Sequence, residues 1–230
     1  MSNFASYLWI PSVTGATAQI AQTQTLAGAG NLSLNGSLVS NGVVSLTNIA
    51  RSVAIQSANN LSGIQVIVTG TYFGFPVTSS FAGPGAGLTV NSPIFFDTIT
   101  NIAVSGAANG ISAGLGMTGQ TAWFSINEYS DQNIMTSMNI LSAANTVNYS
   151  IRVGQEKFNL SSVKFAADGT ITSPYMGLVG TANQVASSYA GNQFTGKYMT
   201  INILTPASNP TTTAGNFLAT IYQPYGRRAA

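Results

Sequence analysis

Residues 64–87 read "IQVIVTGTYFGFPVTSSFAGPGAG", and their pattern decides the fold class. Over 64–72 apolar and polar residues alternate, the period of a half-buried strand. "FGFP" (73–76) then supplies turn chemistry, "VTSSF" (77–81) resumes the alternation, and "GPGAG" (83–87) stops it. This predicts a β-hairpin with Phe73–Pro76 as its turn. The stretch also contains no charged residue.

Similar runs recur along the chain: "VAIQ" (53–56), "NIAVSG" (101–106), "AWFSINEY" (122–129), "TVNYSIRV" (146–153), "YMTINIL" (198–204) and "FLATIYQ" (217–223). Asn35-Gly36, Asn41-Gly42, Asn109-Gly110 and Asp168-Gly169 punctuate them, and such pairs adopt the positive φ that tight hairpins require. Short strands with frequent turns predict an all-β chain, arranged as two tandem antiparallel β-sandwich domains, Ig-like or jelly-roll-like. The Gly-rich "GISAGLGMTGQ" (110–120) marks the boundary. The expected organisation is an extended N-terminal arm over 1–16, one sandwich over 17–120, and a second over 121–230 ending in the basic tail "GRRAA".

Charged residues make up 5% of the 230, against about 25% in ordinary globular domains. Hydrophobic residues reach 45%, so the chain has the apolar content of a folded protein. Residues 1–120 carry only Arg51 and Asp97; the other charges follow. The net charge is +2, and Arg227-Arg228 is the one adjacent basic pair, too little for a phosphate-binding surface. Near-neutral surfaces do not repel one another, which suits a subunit packed among copies of itself.

Several chemistries are excluded or disfavoured. Without histidine or cysteine there is no Ser-His-Asp or Cys-His arrangement, and no zinc, haem-histidine or iron–sulfur site. The acids Asp97, Glu128, Asp131, Glu156 and Asp168 are too scattered for an all-oxygen calcium loop. Glu128 and Asp131 read as solvated charges beside a turn rather than a glycosidase pair. Ser161 and Lys164 have S-x-x-K spacing, but on a strand such residues point to opposite faces. "LAGAG" (26–30), "GPGAG" (83–87) and "GLGMTG" (114–119) lack the helix and lysine of a phosphate loop. No enzyme activity, cofactor, small-molecule substrate or nucleic-acid partner is expected. "MSNFASYLWIPSVTG" has no secretory-signal pattern, and no apolar window is long enough for a membrane helix, so no membrane association is expected.

"RSVAIQSANNLSGIQVIVTGTYFGFPVTSSFAGPGAG", followed by "FFDTITNIAVSGAANGISAGLG", resembles a segment common in structural proteins of tailed bacteriophages. The likeness runs from about Arg51 to Gly116, and "TVNYSIRV" with "GNFLATIYQPYG" is similar to the sandwich that often follows. It departs from that pattern where "YFGFP" replaces a polar Asp/Asn-Gly turn and where strand acids are missing. The resemblance implies a virion structural protein, located on the capsid surface. Its partners would be the major capsid protein and copies of itself, with a symmetric trimer expected at quasi-threefold positions. The leading expectation is a decoration or cement subunit bound across subunit boundaries; the alternative is a neck, tail or vertex component that recognises a host glycan or protein. For the alternative, Trp123 and the tyrosines near 189 and 198 are the candidate sugar-stacking residues. For the cement role the candidate interface residues are Tyr7 and Trp9 in the arm, Tyr72, Phe73 and Phe75 at the hairpin tip, and Arg227 and Arg228 in the tail.

Overall fold

The computed structural model describes residues 3–9, 18–47, 49–125, 134–140, 148–154, 164–165, 171–172, 178–181, 187–189, 198–204 and 217–223, with side chains over 18–47, 49–116 and 118–123. Among these residues there is no α-helix, and the strand pairs are mostly antiparallel: the chain is all-β. Backbone packing divides it into two compact units, Ser12–Gly119 and Met1–Pro11 together with Gln120–Ala230.

In chain order the strands are β1 (Asn3–Trp9), β2 (Ala21–Leu26), β3 (Gly30–Asn31), β4 (Val39–Ser40), β5 (Val43–Ser45), β6 (Ile49–Ser57), β7 (Gln65–Tyr72), β8 (Phe75–Ala82), β9 (Thr89–Asn91), β10 (Thr98–Val104) and β11 (Ala108–Thr121). They continue with β12 (Phe124–Ser125), β13 (Ile134–Ile140), β14 (Asn148–Gly154), β15 (Lys164–Phe165), β16 (Ile171–Thr172), β17 (Leu178–Thr181), β18 (Ser187–Tyr189), β19 (Tyr198–Leu204) and β20 (Phe217–Gln223).

In the unit Ser12–Gly119, one sheet has the order β4-β5-β10-β7-β8, with β3 also on β10. A second set joins β2 to β11, β11 to β6 and β6 to β9. β7 alternates residue by residue, with Val66, Val68, Gly70 and Tyr72 buried and Ile67, Thr69 and Thr71 half-buried. β6 is buried along nearly its whole length, so both of its faces are covered. Val44, Val53, Ile55, Val66, Val68, Phe96, Ile99, Ile102 and Ile111 contribute to the core from both sets of strands. Arg51 and Phe96 exchange backbone hydrogen bonds of 2.9 and 2.8 Å, tying β6 to the chain that leads into β10.

Ile99 and Ile102 are both buried although three residues apart, which a regular strand forbids. The register of β10 against β7 shifts between Ile99 and Asn101, so Thr100 is the extra residue of a β-bulge that resets the alternation. Opposite this bulge, Gly70 lies so close to the Thr98 carbonyl that a side-chain carbon would collide with it.

Turn chemistry follows the Asn-Gly signals in one place and diverges in two. Asn41 (φ 51°) and Gly42 (φ 76°) close the β4–β5 hairpin on the pair Ser40–Val43, a two-residue turn with both central residues at positive φ. Gly110 (φ 64°) instead lies in β11, where the register against β2 shifts between Ala108 and Ile111. Gly36 is buried against the backbone of Gln19 and Ile20.

The unit of Met1–Pro11 and Gln120–Ala230 has a sheet of order β1-β20-β13-β18. Within this unit β19 lies between β14 and β12, and β14 also pairs β17. The stretch expected as an arm contains β1, paired to β20 from Asn3–Gln223 through Trp9–Phe217. Pairing β1 to β20 satisfies backbone groups on that side of β20 that a sheet edge would otherwise leave open.

Candidate interaction surface

The β7–β8 hairpin is built for close contact at its tip and along one side. Its turn has two residues, Phe73 and Gly74, closing on the pair Tyr72–Phe75; Phe75 and Pro76 begin the return strand rather than belonging to the turn. Both turn residues have positive φ, 47° for Phe73 and 87° for Gly74, the type I′ geometry that matches strand twist. A bulky residue rarely enters this region, and doing so costs about 1 kcal/mol. The Phe73 ring offsets that cost by meeting the Tyr72 ring edge-on, 4.8 Å between centroids at 65°.

Tyr72 is buried, at 6% exposure, and supports the tip from beneath; Phe73 is half-buried and Phe75 is 49% exposed. Of the three aromatics, Phe75 presents the largest fraction of its surface to solvent. The base of the tip is pinned by Asp97, whose carboxylate accepts a 2.8 Å bond from the Thr71 hydroxyl and whose N–H donates to the Thr71 carbonyl at 3.0 Å.

Along its side, β8 lies at the end of its sheet and pairs with β7 alone among the described residues. A two-residue turn closes on a hydrogen-bonded pair, so Phe75, Val77, Ser79 and Phe81 direct their backbone bonds to β7. The next bond in the series, Gly83 N–H to the Ile64 carbonyl at 2.9 Å, keeps that phase. Pro76, Thr78, Ser80 and Ala82 therefore direct their backbone groups outward, and all four are exposed. Proline has no N–H to lose, which is why Pro76 fits an outward position of an edge strand. No residue from 52 to 96 is charged. Edge strands are commonly blunted by lysine or other charges, and β8 has none.

The remaining sequence-predicted residues are distributed elsewhere. Tyr7 and Trp9 lie in β1 at register positions opposite Ala219 and Phe217. Arg227 and Arg228 lie outside the described residues, as do Glu128, Asp131 and Ser161. Trp123 is half-buried, and its indole N–H is buried without a hydrogen-bond partner. Exposed Leu38 and Leu88 are further large apolar side chains on the unit Ser12–Gly119.

Buried polar chemistry concentrates instead at β6. Arg51 is 4% exposed, and its guanidinium donates to the Gly116 carbonyl. Burial lowers its pKa from the ordinary arginine value to about 10. Beside it the Ser52 and Thr118 hydroxyls are 2.9 Å apart, and the Ser92 hydroxyl accepts from Val53 N–H at 2.9 Å. On the exposed side of β2, Gln24 takes the N–H of Ser33 at 2.9 Å and donates to its carbonyl at 3.1 Å. Among the described residues no group of three or more His, Cys, Asp or Glu side chains gathers to hold a metal, and no helix is long and apolar enough to cross a membrane.

No family model and no curated protein matches the chain. Among solved structures, a weak likeness is to BpGH86A, a beta-porphyranase of glycoside hydrolase family 86 from the human gut bacterium Bacteroides plebeius, at 11% identity and a TM-score of 0.18. It covers 90% of this chain, which spans 38% of that chain's length.

Proposed function

We propose that this chain is a non-enzymatic structural protein of a tailed-phage particle, and specifically a decoration subunit bound across boundaries of the major capsid protein. Each compact unit is taken as one antiparallel β-sandwich. The observation that carries the proposal is the uncharged surface of residues 52–96, which includes the exposed Phe75 and the open side of β8. Such a surface gains little from dilute existence in water and much from burial against a lattice, where backbone hydrogen bonds and aromatic contacts replace ion pairs. The likeness of residues 51–116 to phage structural segments supplies the biological setting.

Quantitative mass spectrometry of purified particles that encode the chain tests this reading. Copies equal to the major capsid protein, or a simple fraction of it, are the expected result. A handful of copies would move the protein to the neck, tail or a vertex. Complete absence from particles would overturn the virion assignment.

A further inference from the structure

We infer that β8 is a self-pairing edge: two copies of the chain join their β8 strands antiparallel across a twofold axis, making one continuous sheet. This deepens the self-association expected from the near-neutral sequence, and it rests on the geometry of the edge and not on the virion setting.

Three observations converge on a second copy as the occupant. The outward row of β8 is self-complementary. Outward groups must meet outward groups, and the register placing Thr78 opposite Ser80 of the second copy uses every outward N–H. Thr78 N–H bonds the Ser80 carbonyl and Ser80 N–H the Thr78 carbonyl, while Ala82 N–H reaches the Pro76 carbonyl, each repeated by symmetry. In that register a Thr hydroxyl faces a Ser hydroxyl across the strands, a favourable cross-strand pair. The second observation is charge. A twofold axis sets identical strands side by side, so any charge on β8 would be brought near its own copy; the strand "FPVTSSFA" carries none. The third is closure. The opposite edge of the sheet is β4, two residues long, which offers too little ladder for head-to-tail growth into fibres. An eight-residue edge matched to itself therefore closes as a dimer, in place of the trimer expected from the phage resemblance.

Light scattering of the full chain across a concentration series tests the pairing, together with Thr78→Pro. The Thr78 N–H makes no bond to β7, so proline there removes intermolecular bonds and spares the hairpin. The expected result is a dimer whose dissociation constant rises about ten-fold or more in Thr78→Pro. A second measurement does not depend on tolerance of proline. The chain has no cysteine, so mixing Thr78→Cys chains with Ser80→Cys chains reads the register directly. Oxidation should cross-link the mixture and leave each variant alone largely uncrosslinked. A wild-type chain monomeric at every concentration overturns the inference, as does a dimer indifferent to Thr78→Pro or equal cross-linking in the single variants. A monomer present in many copies on particles would sink the pairing and leave the virion reading standing; a β8-paired dimer absent from particles would do the reverse.

Discussion

Arg51 sits inside β6 with its guanidinium donating to the Gly116 carbonyl of β11, a cation buried where the surrounding residues are apolar or hydroxyl-bearing. Removing a desolvated cation relieves a cost, but orphaning the carbonyl it serves adds one of about 1–3 kcal/mol. Arg51→Met is therefore expected to leave stability near the wild-type value at pH 8, and Arg51→Ala, which also opens a cavity, to lose about 3 kcal/mol. The pH dependence has a definite sign. With the folded pKa at about 10, below the ordinary arginine value, the folded state binds fewer protons than the unfolded state between the two. Stability from this group accordingly rises with pH through that window, and the penalty returns in full as pH falls below 10. Urea midpoints at pH 8 and pH 10.5 should show wild type gaining about 1 kcal/mol on Arg51→Met at the higher pH.

Gly70→Ala tests the close approach of β7 to the bulge in β10. The added carbon meets the Thr98 carbonyl, a backbone atom held by the ladder on both sides. A loss of about 2–3 kcal/mol in a denaturant titration is expected. A loss below about 0.5 kcal/mol would mean the backbones separate easily there.

At the turn, strain and packing oppose one another. Phe73→Asn relieves the positive-φ cost but forfeits the ring contact with Tyr72, so it should change stability by less than about 0.5 kcal/mol. Phe73→Ala keeps the strain and loses the ring, and should cost about 1–2 kcal/mol. Equal effects from the two variants would contradict this balance.

Ser79 lies on the buried face of β8, 2% exposed, with a hydroxyl that has no hydrogen-bond partner. Ser79→Ala removes an unsatisfied polar group at nearly constant volume and should raise stability by about 1 kcal/mol. A decrease in thermal midpoint would mean the hydroxyl is satisfied by water in solution.

Strand existence was legible wherever alternation was clean: "YMTINIL" and "FLATIYQ" coincide with β19 and β20, and Asn41-Gly42 forms the tight turn its chemistry demands. The four-residue turn at Phe73–Pro76 was misplaced because Phe73 has little preference for positive φ; the register of Tyr72 with Phe75 imposes it. Thr100 could not be recognised as a bulge, since "TITNIAV" shows its broken period only once a partner strand supplies the register. The open side of β8 had one sequence signal, Pro76 early in an otherwise strand-like run. The pairing of β1 with β20 had none, because alternation gives a strand's faces and not its neighbour.

That last pairing has a consequence for synthesis. A ribosome adds about 5–20 residues per second. Asn3–Trp9 is made well before its partner strand Phe217–Gln223. The strands of Ser12–Gly119 are all made in the interval between these two. The opening strand must wait through that interval, and a truncated product would leave it without a ladder. Synthesis of Phe217–Gln223 is thus what supplies β1 with its ladder.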